Sequence, residues 1–193
     1  MKKRGKTIVE AFITNFQSPV ELEDLIDRYE TDRMTNIDHF FSEATTLDWT
    51  VKKDAQINDI VVFMCAKTSK DHMGHVCAQC KEIGNQKLLI YAEQERQLYK
   101  KYAGMIVGLG IIQELPYQTF DSGYQYSYWK SPWYAKISNI TRLKNPLPID
   151  EFRDFIYISR TGAITNLTRD QYRQLFKLIK DYNFEINDKY QMI

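Results

Sequence analysis

Long apolar runs are missing from this sequence: no stretch approaches the roughly 20 consecutive apolar residues that a bilayer-spanning helix needs. Cysteine is scarce and odd in number, with only Cys65, Cys77 and Cys80, so the chain does not pair off as a secreted disulfide framework would. Charge of one sign is not in excess either. A formal net charge of +1 excludes a uniformly basic protein, and any anion-binding surface has to be a local patch balanced by acid elsewhere. Met1 to Lys6 carries four basic residues, but Thr7 to Phe16 is a short mixed stretch and not the uncharged apolar run of a signal peptide. These absences lead us to expect a cytoplasmic protein with no membrane association.

Low-complexity tracts and internal repeats are also lacking, and so are the usual catalytic signatures. There is no Gly-x-Ser-x-Gly elbow, no phosphate-binding Gly-rich loop, no His-Glu-x-x-His zinc helix, and no Glu-x-Lys or Asp-x-Lys tripeptide of a restriction-type nuclease. Cys65 lies within an apolar run, where thiols are usually inert, so a Cys65 nucleophile served by His39, His72 or His75 is disfavoured. A binding module is therefore expected in preference to an enzyme, with no cofactor.

What is present is a rich aromatic complement of 13% within 44% hydrophobic residues, enough to bury one core. Ser18-Pro19 followed by Glu21 is a helix-start signal. It predicts helix from Ser18 to Ala44, with a second piece over Ile37 to Ala44, and residues 1–48 are read as an N-terminal helical extension. Residues 49–193 then form the main domain. Asn58-Asp59 reads as a turn, and Ile60 to Ala66 is an unbroken β-branched run suited to a strand buried on both faces. Gln86 to Tyr102 has a helical stripe ending at Gly104. Met105 to Gln113 is a second apolar strand, in which Gly108 and Gly110 mark a bulge or a close approach. Trp133 to Leu143 alternates as a strand with one wet face. Thr168 with Gln171 forms a capping box for the final helix. The three strands are expected to share one curved sheet.

Four pieces occur in a recognisable order. They are Asn58-Asp59-Ile60-Val61-Val62-Phe63; Gly104-Met105-Ile106-Val107-Gly108-Leu109-Gly110; Trp133-Tyr134-Ala135-Lys136-Ile137 running into Leu143-Lys144-Asn145-Pro146-Leu147-Pro148; and Ser159-Arg160-Thr161-Gly162-Ala163-Ile164 with Leu167-Thr168-Arg169-Asp170-Gln171-Tyr172. In this order the chain resembles the EVE branch of the PUA-like superfamily over about Trp49 to Lys180. Asn58 stands where that family more often has Gly, and Asn tolerates the same left-handed turn. The resemblance implies an α+β fold, a PUA-like twisted, partly closed β-barrel flanked by helices, whose concave pocket holds a flipped or modified nucleobase. It also implies a restriction, defence or RNA-modification context, with DNA or RNA as partner. Lys67, Thr68 and Ser69 match the polar strand exit that lines the pocket in similar domains.

The residues support such a site on physical grounds too. A base offers two π faces and a polar edge, so its reader needs aromatic planes and a few hydrogen-bonding groups. The long aromatic loop from Leu115 to Pro132 and its flank supply Trp129, Trp133, Tyr126 and Tyr128, and the nearby cations Lys130, Lys136, Arg142 and Arg160 are candidates for phosphate contacts. His72, His75, Cys77 and Cys80 are zinc-type ligands within nine residues. They are too compressed for most four-ligand sites, and Cys77 and Cys80 read as helix core, so no metal is expected. Two alternatives stay open: a PUA-like hydrolase or metal-dependent nuclease using that His/Cys cluster, and a protein-interaction partner docking through the N-terminal helices.

Overall fold

A computed structural model describes residues 9–30, 46–118, 133–158 and 164–191. Its elements are β1 (Ala11–Phe16), α1 (Leu22–Glu30), β2 (Thr46–Thr50), β3 (Ile60–Cys65), α2 (Ser69–Glu82), α3 (Gln86–Tyr102), β4 (Met105–Ile112), β5 (Tyr117–Gln118), β6 (Trp133–Pro148), β7 (Ile164–Leu167) and α4 (Arg169–Tyr182). Short 3-10 turns cover Ile149–Glu151 and Asp188–Tyr190. All seven strands join one sheet in the order β2-β6-β4-β3-β1-β7, with β5 on β6. No helix among the described residues is long and apolar enough to cross a membrane.

The three strands expected to lie together are neighbours at the centre of the sheet. β3 is buried along its whole length because it alternates into two cores. Val61, Phe63 and Cys65 enter the core under α1, α2 and α3. Ile60, Val62 and Met64 enter the other core, under α4 and the Phe152–Ile156 segment. The Asn58 turn has φ of 77°, the left-handed geometry that asparagine tolerates. Thr168 caps α4 reciprocally: its hydroxyl accepts from the Gln171 amide at 3.2 Å, and the Gln171 side chain accepts from the Thr168 amide at 2.9 Å.

The described residues among the first 48 differ from the expected helical extension. Ala11–Phe16 form a strand inside the sheet, parallel to β3 and antiparallel to β7. Helix is confined to Leu22–Glu30 among the described residues, and Ile37 to Ala44 lie outside them. Ser18 does not cap α1. Its hydroxyl donates to the Ser69 carbonyl at 3.0 Å, and its amide donates to the Ser69 hydroxyl at 3.1 Å, tying the exits of β1 and β3 together.

The sheet is rolled but not closed. In a flat sheet the four strand steps from β2 to β1 would separate them by ~19 Å. Yet the Trp49 indole N–H on β2 donates to the Thr14 hydroxyl on β1 at 2.9 Å, and Lys52 just past β2 pairs with Glu10 just before β1. The roll comes from a bend in β6 at Asn139, where φ is 52°. Before that bend Ala135 and Ile137 face the first core, whereas after it Leu143 and Leu147 face the second, so the two-residue alternation breaks there. Register shifts between β4 and β6 accompany the bend. β6 runs five residues beyond the expected Leu143 and takes in Pro146 and Pro148. Among the described residues its pairing with β2 covers Tyr134 to Ser138 and does not involve these prolines.

Candidate functional site

The roll brings a group of aromatic and polar side chains to one end of β1 and β3. Phe16 stands opposite Cys65 at that end. Half-buried Trp49 lies against Phe16 with ring centroids 5.4 Å apart and planes 23° from parallel, and it meets the Phe63 ring edge-on at 5.5 Å. With its N–H committed to Thr14, the indole is fixed in orientation. Tyr99 of α3 packs 6.4 Å from Phe16, and its hydroxyl donates to the Gln17 carbonyl at 3.4 Å. Burial pushes that phenol well above its ordinary pKa despite the opposing charge of Arg28, so it stays neutral and a donor. Arg28 of α1 reaches the same carbonyl at 3.4 Å, and the Gln17 side-chain amide lies 3.5 Å from Nδ1 of His72 on α2. A fixed indole plane, a neutral phenol, a cation and an amide–imidazole pair thus gather around residues 14–17. Such a set can hold a flat group with a polar edge.

The residues singled out from the sequence are distributed otherwise. Lys67 and Thr68 are exposed at the exit of β3, and Thr68 makes no capping bond to α2. Ser69 is fully buried, and its polar atoms are used by Ser18, which takes it out of a ligand-contact role. Trp133 opens β6 beyond the level of Ile112 and Ile60, where β3 begins. The indole carries the Lys53 ammonium 5.3 Å from its ring centroid. Trp133 and Lys67–Ser69 therefore sit at opposite ends of the strands. Trp129, Tyr126, Tyr128, Lys130 and Arg160 lie outside the described residues. Lys136 pairs with Glu114 at 3.4 Å, and Arg142 donates to the Tyr102 hydroxyl of α3 at 2.8 Å.

The His/Cys group on α2 is not gathered. Cys77 and Cys80 point into the core, His75 is exposed with its Nε2 at 3.7 Å from Glu21, and His72 meets Gln17. Among the described residues no three His, Cys, Asp or Glu side chains converge as a metal site would require. Burial pushes the Cys65 thiol up to about 12 and, with the nearby Glu93 adding to it, the Cys77 thiol up to about 11. Both are neutral near pH 7 and poor nucleophiles.

Trp49, Phe16, Thr14 and Gln17 are not among the residues the sequence singles out. A signal for them exists: Phe12, Thr14 and Phe16 alternate with Ala11, Ile13 and Asn15, and Leu47 and Trp49 alternate with Asp48. Both runs are short, and their pairing partners are far away in sequence.

No family model matches the sequence, and no curated protein matches it. Among solved structures the fold is similar to Atu2648 from Agrobacterium tumefaciens, at 10% identity over 89% of this chain and 93% of that one, with a TM-score of 0.43. It is also similar to two single-substitution variants of ZmASCH from Zymomonas mobilis. One aligns at 8% identity over 87% of this chain and 97% of the other with a TM-score of 0.43, and the second at 9% over 87% and 95% with a TM-score of 0.41.

Proposed function

We propose that the protein is a nucleic-acid-binding module of the PUA-like type that holds one base, modified in its natural target, at the mouth of the rolled sheet. The observation that carries this reading is the half-buried Trp49 indole, held by Thr14 and Phe16 beside the polar groups of Gln17, Arg28 and His72. Stacking supplies affinity for any base, and the amide and imidazole supply hydrogen bonds that distinguish one edge from another. Lys67 and Thr68 extend the polar rim. Trp129, Tyr126 and Tyr128 of the long aromatic loop are proposed as the second plane, and Lys130, Lys136, Arg142 and Arg160 as phosphate contacts. Trp133, two residues before Ala135, the ladder partner of Trp49, and bonded through its carbonyl to the Val51 amide at 3.0 Å, is kept as a proposed pocket residue beside that indole. Binding requires no cofactor, no bond is made or broken, and the setting is cytoplasmic.

The test is fluorescence anisotropy with labelled single-stranded oligonucleotides, RNA and DNA, each made with one modified base or none. Trp49→Ala is expected to weaken binding by about 1–3 kcal/mol while leaving its salt dependence unchanged. Gln17→Ala is expected to narrow the difference between modified and unmodified strands with a smaller loss of affinity. Binding indifferent to both substitutions, or no binding by the parent chain, refutes the proposal.

A further inference from the structure

On the far side of the sheet a cleft of about 640 Å³ runs between α4 and the chain that returns past it to Gln191. Arg173, Lys177 and Lys180 line it against a single carboxylate, Asp181, and its floor is the buried Phe176 ring, with the Lys180 ammonium 6.0 Å from the centroid. These cations repeat at four- and three-residue intervals, so they stand in one row along the helix, at rises of about 6 and about 4.5 Å. Among the described residues Arg173 has one long ion-pair contact, to Asp170 at 3.9 Å, and Lys180 pairs with Asp188 at 2.5 Å. Lys177 has no ion pair among the described residues. Asp170, Asp181 and Asp188 stand against this row, so the positive charge it presents is centred on Lys177 and the loosely held Arg173.

The row has a direction. α4 starts beside the end of β7, and its last turn is fastened to β6 at Asn145, whose amide donates to the Asn183 side chain at 2.7 Å. That part of β6 leads to Pro148, opposite Met105, and Gly104 before it bonds the Cys65 carbonyl at 2.9 Å. The row therefore climbs towards the sheet end at which β3 exits and the Trp49 group lies.

From this we infer that the α4 cleft is a second, sequence-indifferent binding surface for the sugar-phosphate backbone of the strand whose base occupies the mouth. The inference rests on the proposed base-binding reading. A regular row of cations in a groove suits a regularly spaced polyanion. A recessed groove suits a nucleic acid strand better than a bilayer surface, which needs a protruding face.

The experiment is a salt titration of anisotropy with labelled, unmodified single-stranded RNA and DNA of mixed sequence. It uses the parent chain, an Arg173→Gln/Lys177→Gln double variant, and Trp49→Ala. Both cations are exposed, so thermal melting of the double variant should match the parent. The expected result is a slope of log affinity against log salt that is shallower by about 1.4 in the double variant, at about 0.7 for each single-strand phosphate no longer neutralised, and unaltered in Trp49→Ala. An unaltered slope in the double variant, with affinity still lost in Trp49→Ala, overturns the cleft and leaves the base site standing. Absence of binding by the parent overturns both. Anionic phospholipid vesicles or polyglutamate bound more tightly than either oligonucleotide, and released by the double substitution, overturn the nucleic acid as occupant.

Discussion

Val61, Phe63 and Cys65 of β3 enter one core and Ile60, Val62 and Met64 the other, and the two cores are closed differently. The core under α4 is sealed at its rim by paired polar groups. Tyr172 donates to the Tyr190 carbonyl at 2.6 Å, Tyr190 to the Thr141 hydroxyl at 2.7 Å, and the Asn183 amide to the Asn145 carbonyl at 2.9 Å. The core under α1–α3 ends at the strand exits in a half-buried indole and in side chains that gather around the Gln17 backbone. One face closes its rim with paired polar groups, and the other ends in a half-buried indole beside the part-exposed Gln17, Arg28 and His72. Stability and recognition are thereby assigned to opposite faces of one sheet.

Substitution in the sealed core should separate the two properties most widely. Leu175 is fully buried on α4, and Leu175→Ala removes its side chain from a close-packed site. The expected cost is about 2–5 kcal/mol, read from urea denaturation, with oligonucleotide discrimination by the folded fraction unchanged. A variant that keeps its stability but loses discrimination would break the division between faces.

A smaller effect is expected from Gly110, over which Ile137 and Phe63 close. A Cβ at this position would sit 2.5 Å from Cγ2 of Ile137 and 3.1 Å from Cε2 of Phe63. Both neighbours are wholly buried, and the nearer is a stiff β-branched side chain, so neither can move aside cheaply. Gly110→Ala should cost about 1–3 kcal/mol. Because the strain falls under Phe63, which supports Trp49, it should also weaken base binding. Loss of stability with binding intact would show that the mouth does not depend on the curvature of β4.

How far the sequence carries these conclusions varies with the range of the interactions involved. β3, α3 and α4 are legible because their signals are local: an unbroken β-branched run, a helical stripe over Gln86–Tyr102 and a capping box at Thr168. Gly110 of β4 is legible as a close approach, and Gly108 borders a register shift. β1 is not, since its place beside β3 is set by parallel pairing across 49 residues, from Ala11 to Ile60, and Ser18-Pro19 suggests helix next to it. Trp49 escapes notice for the same reason, its partners Thr14 and Phe16 being brought to it by a bend at Asn139 that no local pattern announces. Ser69 draws attention as a polar residue at a strand exit, and its polarity proves to serve the bond to Ser18.

The smallest predicted effect lies where β3 begins, at the other end of that strand from Cys65 and its partner Phe16. The Asp59 carboxylate is 1% exposed and accepts from the Glu10 amide at 2.9 Å and the Gln56 amide at 2.8 Å. Burial raises its pKa, and the two amide donors and Lys52 only partly offset that, so its value in the folded protein lies above the ordinary aspartate range. Below the unfolded pKa both states hold the proton, and Asp59 contributes its full stability. Between the unfolded and the raised folded value, the folded state keeps a proton that the unfolded state has released, so stability falls as pH rises through that window. This slope is opposite to that of a carboxylate held by salt bridges. Asp59→Asn cannot ionise, and its single oxygen replaces only one of the two acceptors, so the variant should be the weaker in acid and gain on the parent towards neutral pH. Urea midpoints compared from acid to neutral pH check the sign. A gap that widens with pH, against the variant, would mean that the two amides outweigh burial. Oligonucleotide binding at neutral pH should be the same in both proteins, because the group that titrates here and the group that binds lie at opposite ends of the same strands.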